Sequence, residues 1–244
     1  RPQDRAGFLQ VQRQRDVRGL TDMANMHYAI LDTGNSRSFP DEHPLLADAV
    51  KALKSAEVVI VIGEHAGTHA KSLDKWKDKT AVLIELGTES LGTHTGERRA
   101  QEGSNALGFA RFRLGTAEPT KLVELVRQPR TSDTALAAAK QIFESVDLQV
   151  AVCGDFEGRI IDRLVRPYYN AALRRLDEGL ATADDLDTTL KLGLGYPEGP
   201  ISLLERTGLA DHYDITQALF EACGEAAYAP ARRARVAKAR DRKA

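Results

Sequence analysis

Few residues in this chain have types and spacings that suggest chemistry. Glu64-His-Ala-Gly-Thr-His sets His65 and His69 four apart, one face of an α-helix and a spacing that suits a metal. No HExxH occurs, Gly67 interrupts the pattern and no third ligand suggests itself, so a solvated loop is the reading. Gly63–His69 follows an apolar run, and backbone N–H groups there would make a modest anion site if a helix opens at that turn; an ordinary strand-to-helix turn competes with it. Glu64 sits on this turn and Asp32 ends another apolar run, which makes both of them cofactor-side candidates. Asp32 is placed like the acid that binds a ribose in dinucleotide folds, and equally like a helix cap. His94, in Gly92-Thr-His-Thr-Gly, is a loop histidine free to swing in as a base, with nothing in the sequence to fix it there.

Those residues need elements to hold them. Of the 244 residues, 42% are hydrophobic and 28% charged, which excludes wholesale disorder. A formal net charge of −1 argues against nucleic acid held by bulk charge. The seven basic residues of Arg232–Lys243 read as a solvated helical tail, with no aromatic platform beside them. The longest apolar run, Val58 to Ile62, is far short of a membrane span. The polar start at Arg1 is no secretory signal, and Cys153 and Cys223 read as reduced thiols, so a cytoplasmic chain is expected.

Up to about residue 155 short β-rich runs alternate with helical ones. Strands are expected at Phe8–Val11 (weakly), His27–Asp32, Glu57–Gly63, Thr80–Leu86, Leu122–Arg127 and Leu148–Cys153, and helices at Asp41–Ser55, His69–Lys77 and Asp133–Val146. Alternation of this kind predicts an α/β fold with a mostly parallel sheet. From Gly158 onward the pattern is helical, over Arg159–Gly179, Asp184–Leu192 (opened by Thr182), Ile201–Thr207 and His212–Cys223. The expected architecture is a Rossmann-like domain at 1–155 followed by an all-α domain at 156–244. Tyr168, Tyr169 and Asn170, on the first of these helices, are assigned to core and interface packing.

Gly158-Arg-Ile-Ile-Asp-Arg-Leu-Val-Arg-Pro-Tyr-Tyr-Asn and Asp184-Asp-Leu-Asp-Thr-Thr-Leu-Lys-Leu-Gly-Leu-Gly-Tyr-Pro-Glu-Gly-Pro resemble the helical domain of L-3-hydroxyacyl-CoA dehydrogenases. Lys121-Leu-Val-Glu-Leu-Val-Arg and Thr80–Leu91 resemble strands of the same family. The resemblance implies NAD as cofactor, an acyl-CoA ligand and a homodimer formed through the helical domain. It also implies a base histidine oriented by a glutamate, with a serine and an asparagine holding the substrate oxygen.

Carried over position by position, the glutamate is Glu124. The histidine position holds Phe112, the serine position Glu89 (with Ser90 next to it) and the asparagine position Asp162. Phenylalanine accepts no proton, and two added carboxylates would set negative charge beside a developing alkoxide. The glycine fingerprint, sought before Asp32 in Gln12–Leu20, offers only Gly19. The chain therefore reads as a family member with little or no dehydrogenase activity. The competing readings are an active oxidoreductase with an atypical cofactor loop, and a non-enzymatic acyl-CoA-binding or partner subunit.

Overall fold

The computed structural model describes residues 26–97 and 104–241. The expected strand at Phe8–Val11 and the loop Gln12–Leu20 lie outside the described residues. Six strands form one sheet in the order of the chain: β1 (Tyr28–Asp32), β2 (Val58–Ile62), β3 (Ala81–Glu85), β4 (Ala106–Arg111), β5 (Leu122–Arg127) and β6 (Gln149–Gly154). All neighbours are parallel except β4 and β5.

β2 and β3 are buried along their whole length, so their apolar residues feed two cores. Val58, Ile60 and Leu83 pack with Phe109 and Phe143 under the helix α3 (Asp133–Ser145). Val59, Val61, Val82 and Ile84 pack on the other face with Leu73 and Trp76 of a 3₁₀ helix, Ala66–Trp76. β4 was not expected from the sequence. It carries Gly108, where a side-chain carbon would lie 2.4 Å from Leu86 Cδ1, so close packing selects the residue that blurs the strand signal.

The helix expected over Asp41–Ser55 is a single turn, α1 (Pro44–Ala47), capped by the His43 ring. The chain then leaves the helix, and the Val50 N–H donates to Tyr28 O on β1 (2.9 Å). A backbone bond to the sheet edge outweighs the helical periodicity of Val50 and Leu53. Where an α-helix was expected at His69–Lys77 the chain is 3₁₀, with about three residues per turn. Positions 65 and 69 therefore do not share a face; His65 lies exposed, 3.6 Å from Glu64.

Beyond Gly154 every element is helical: α4 (Ile161–Asp177), α5 (Ala183–Leu194), α6 (Pro200–Thr207), α7 (Leu209–Cys223) and α8 (Arg232–Asp241), with the short α2 (Gly92–Thr95) back in the sheet half. Thr182 caps α5 as its sequence suggests. The long glycine–proline run has a structural use. Buried Asp187 accepts the Ile201 and Ser202 N–H groups (both 2.9 Å) and so caps α6. Gly199 must lack a side chain because a Cβ there would sit 2.2 Å from Asp187. No helix among the described residues is long and apolar enough to cross a membrane.

A buried polar chain stiffens this half. Arg166 Nη1 donates to His212 Nδ1 (3.1 Å), and His212 Nε2 donates to Asn170 Oδ1 (3.0 Å). Arg has no acceptor, which fixes the tautomer. Asn170 Nδ2 in turn holds the carbonyls of Ala227 and Tyr228. Burial, and then the Arg166 cation, push the His212 pKa from 6.5 to about 3. Between those values the unfolded chain binds a proton that the folded chain does not, so stability falls as the pH drops through that window. Urea unfolding at pH 5 should show about 2 kcal/mol of destabilisation from this group relative to pH 7. His212→Gln should remove that part of the slope; an unchanged slope would refute the assignment.

Candidate active site

Two clefts open at the carboxyl ends of the parallel strands, and the smaller of them also meets the helical half. The smaller has a volume of about 170 Å³ and gathers Phe112, Glu124, Arg159 and Asp162 with Arg37 and Thr88. The larger, about 310 Å³, is lined by Gly63, Glu64, Glu85, Glu89 and His94, and Arg37 again. Three of the positions carried over from the resemblance thus converge on one cavity, and Arg37 borders both.

Glu124 lies on β5 and is 1% exposed. Its Oε1 accepts the Ile160 and Ile161 N–H groups (2.8 Å each), and its Oε2 accepts Arg159 Nε at 3.3 Å. It caps the start of α4, where a carboxylate also meets the positive end of the helix dipole. Both oxygens are engaged by the junction of sheet and helices. Gly158 (φ +71°) and Arg159 (φ +52°) both adopt left-handed backbone to bring that guanidinium in, a conformation that costs a non-glycine residue energy.

The expected build-up of negative charge is not what the structure has. Asp162 Oδ1 accepts Arg166 Nε at 2.7 Å, and both side chains are buried. Glu89 turns out of the smaller cavity into the larger, where its Oε1 lies 3.0 Å from His94 Nε2. Burial raises the Glu89 pKa, but hydrogen bonds from His94 and the backbone outweigh it and hold the carboxyl below its usual range. The Arg166 cation beside Asp162, together with a turn of the Glu89 side chain that sequence spacing does not show, removes the two bare carboxylates. Ser90 bonds the Thr93 hydroxyl (3.2 Å) and lines neither cleft. His94 is held as well as paired: a Cβ on Gly67 would lie 2.1 Å from its ring, so only glycine fits beneath it.

Sheet order relocates the cofactor loop. In the usual doubly wound order, 3-2-1-4-5-6, the first strand lies against the fourth, and the phosphate loop follows the first. β1 lies directly against β2 and is followed by the parallel β3 and β4, which matches 1-4-5-6. The loop corresponding to the fingerprint is then 33–38, after Asp32, rather than 12–20 before it. Asp32 is exposed and accepts the Gly34 N–H (3.0 Å) in a tight turn.

Sequence reasoning missed the residue that organises this loop. Glu85, at the end of β3, is 5% exposed and accepts three donors: Ser38 N–H (2.6 Å), Gly63 N–H (2.6 Å) and Ser36 Oγ–H (2.8 Å). The one signal for it was an acid inside the otherwise apolar run Ala81–Leu86. Glu64 lines the same cleft and is exposed, beside His65.

Comparison with known proteins agrees with the fold. The profile of the 3-hydroxyacyl-CoA dehydrogenase C-terminal domain matches residues 158–242. The helical half is thus similar to the C-terminal domain of 3-hydroxyacyl-CoA dehydrogenases. A 3-hydroxybutyryl-CoA dehydrogenase of Mycobacterium tuberculosis is 36% identical over 154 residues, covering 63% of this chain and 53% of that protein. Another from Bradyrhizobium diazoefficiens is 36% identical over 110 residues, 45% of this chain and 38% of its own. The crystal structure of (S)-3-hydroxybutyryl-CoA dehydrogenase from Ralstonia eutropha superposes with a TM-score of 0.64 at 26% identity, over 78% of this chain and 67% of that one. The chain spans about half the length, or less, of these curated relatives.

Proposed function

We propose that this chain binds an acyl-CoA between its sheet and helical halves without carrying out NAD-linked oxidation of a 3-hydroxyacyl group. The observation that carries this reading is Glu124. The carboxylate that would orient a base is bonded to Arg159 and two backbone N–H groups, and the position of the base is Phe112. The described residues also do not fit a dinucleotide diphosphate. Glu85 already supplies an anion to the loop donors, and Glu64 and Glu89 line the same cleft. A homodimer through the helical half is part of the proposal, supported by exposed Leu164, Leu192 and Leu194; light scattering giving a monomer mass would overturn it. A cytoplasmic setting fits the two free thiols, with Cys153 pushed up to about 11 chiefly by burial.

Thermal-shift titration tests the cofactor and ligand parts together. Acyl-CoA esters should raise the melting temperature, while about 1 mM NAD or NADH should leave it unmoved. Glu85→Ser, which frees the Ser38 and Gly63 N–H groups, should acquire a response to NAD that the parent lacks. A parent stabilised by low-micromolar NAD would defeat this reading. A second reading has its own observation: the Glu89–His94 pair at 3.0 Å resembles an oriented base, as an active oxidoreductase with a relocated base requires. Measurable turnover that disappears in His94→Ala would favour it.

A further inference from the structure

The smaller cavity has cationic groups left over. Four arginines line it, Arg37, Arg111, Arg113 and Arg159, against two carboxylates, Glu124 and Asp162. Both carboxylates are engaged, Glu124 as described and Asp162 by Arg166, which does not line the cavity. Arg111 and Arg113 spend donors on backbone carbonyls of the 116–120 loop. Arg37 does not balance in this way, and Arg159, though paired with Glu124 through Nε, keeps a second donor unbonded.

Arg37 makes one hydrogen bond, from Nη2 to Arg113 O (2.8 Å), and no carboxylate lies within ion-pair distance of it among the described residues. Burial lowers its pKa, and the more distant Asp162 and Asp211 carboxylates, pulling the other way, offset that only in part. The Arg159 side chain is 5% exposed, and its Nη1 is buried with no hydrogen-bond partner. A buried guanidinium donor without an acceptor is costly; Nη1 is closed to solvent as it stands, and a small turn of the Arg159 side chain, which lines the cavity, would bring it onto a bound oxyanion. The rest of the wall includes Leu86, Phe112 and Ile215, which suit methylene groups.

The geometry points to a binding site for a short carbon chain that ends in a carboxylate, held by Arg37 and Arg159 in the place where the family's chemistry would occur. A phosphate would leave the apolar wall of Leu86, Phe112 and Ile215 without a partner. The carboxylate has two possible sources, a free small diacid or the far end of an acyl thioester. The thioester source rests on the acyl-CoA reading above.

Calorimetry on the full chain with glutarate, glutaryl-CoA and butyryl-CoA tests this. Glutaryl-CoA should bind about tenfold or more tightly than butyryl-CoA, and Arg37→Gln should erase the difference while leaving butyryl-CoA affinity in place. Arg37→Lys keeps the charge without the fork and should retain part of the preference. Binding of glutarate alone, weakened by Arg37→Gln, would support a free-acid site. Equal affinity for the two esters would overturn the inference and leave the acyl-CoA reading standing. A preference that survives Arg37→Gln would also overturn it, as would no binding of glutarate or glutaryl-CoA at about 1 mM.

Discussion

Supplied with 3-hydroxybutyryl-CoA and NAD, the chain should turn over about 10²–10⁴-fold more slowly than a dehydrogenase with its base in place, because Phe112 cannot accept the hydroxyl proton. Phe112→His alone should recover nothing. A new imidazole would meet a Glu124 whose oxygens are bonded to Ile160, Ile161 and Arg159. Restoring Phe112→His, Glu89→Ser and Asp162→Asn together should still fall short until Arg159→Leu frees Glu124 Oε2. Asp162→Asn also takes the carboxylate from buried Arg166, so the combined variant needs its stability checked beside its rate. Hydride transfer followed at the nicotinamide absorbance decides the matter. Ordinary turnover by the parent chain would end the inactive reading and make His94→Ala the next variant to assay.

The largest stability effect is expected at the same carboxylate. Glu124→Ala strands the buried Arg159 cation and uncaps α4, and should cost about 3–5 kcal/mol in urea unfolding. Glu124→Gln keeps an acceptor for the two N–H groups but loses the ion pair, so it should fall between the alanine variant and the parent. A loss below about 1 kcal/mol for the alanine variant would mean that the junction does not depend on this residue.

The parts visible in the sequence were those specified by neighbours along the chain. Val58–Ile62 and Ala81–Glu85 are continuous apolar runs, and central strands buried on both faces have that appearance. The helical half was legible through its period and through Thr182 and the glycine–proline run, which are local caps. Asp41–Ser55 failed because its period was right and a long-range bond to β1 was stronger. The site failed in the same way. Glu85 meets its partners 22 to 49 residues away, and Arg159 meets Glu124 across 35. Pairing at that separation has no signature in composition or spacing, so substitution at 89 and 162 suggested repulsion where the fold pairs Asp162 with Arg166 and hydrogen-bonds Glu89 to His94.

Glu85 also bears on what this half of the molecule can sense. A loop that waits for a ligand's anion gains rigidity only when the ligand arrives, and its order then tracks the ligand's concentration. Here the anion is covalently part of β3, so the loop closes as the sheet folds. Its rigidity should be independent of nucleotide supply, leaving the protein insulated from swings in the redox balance around it.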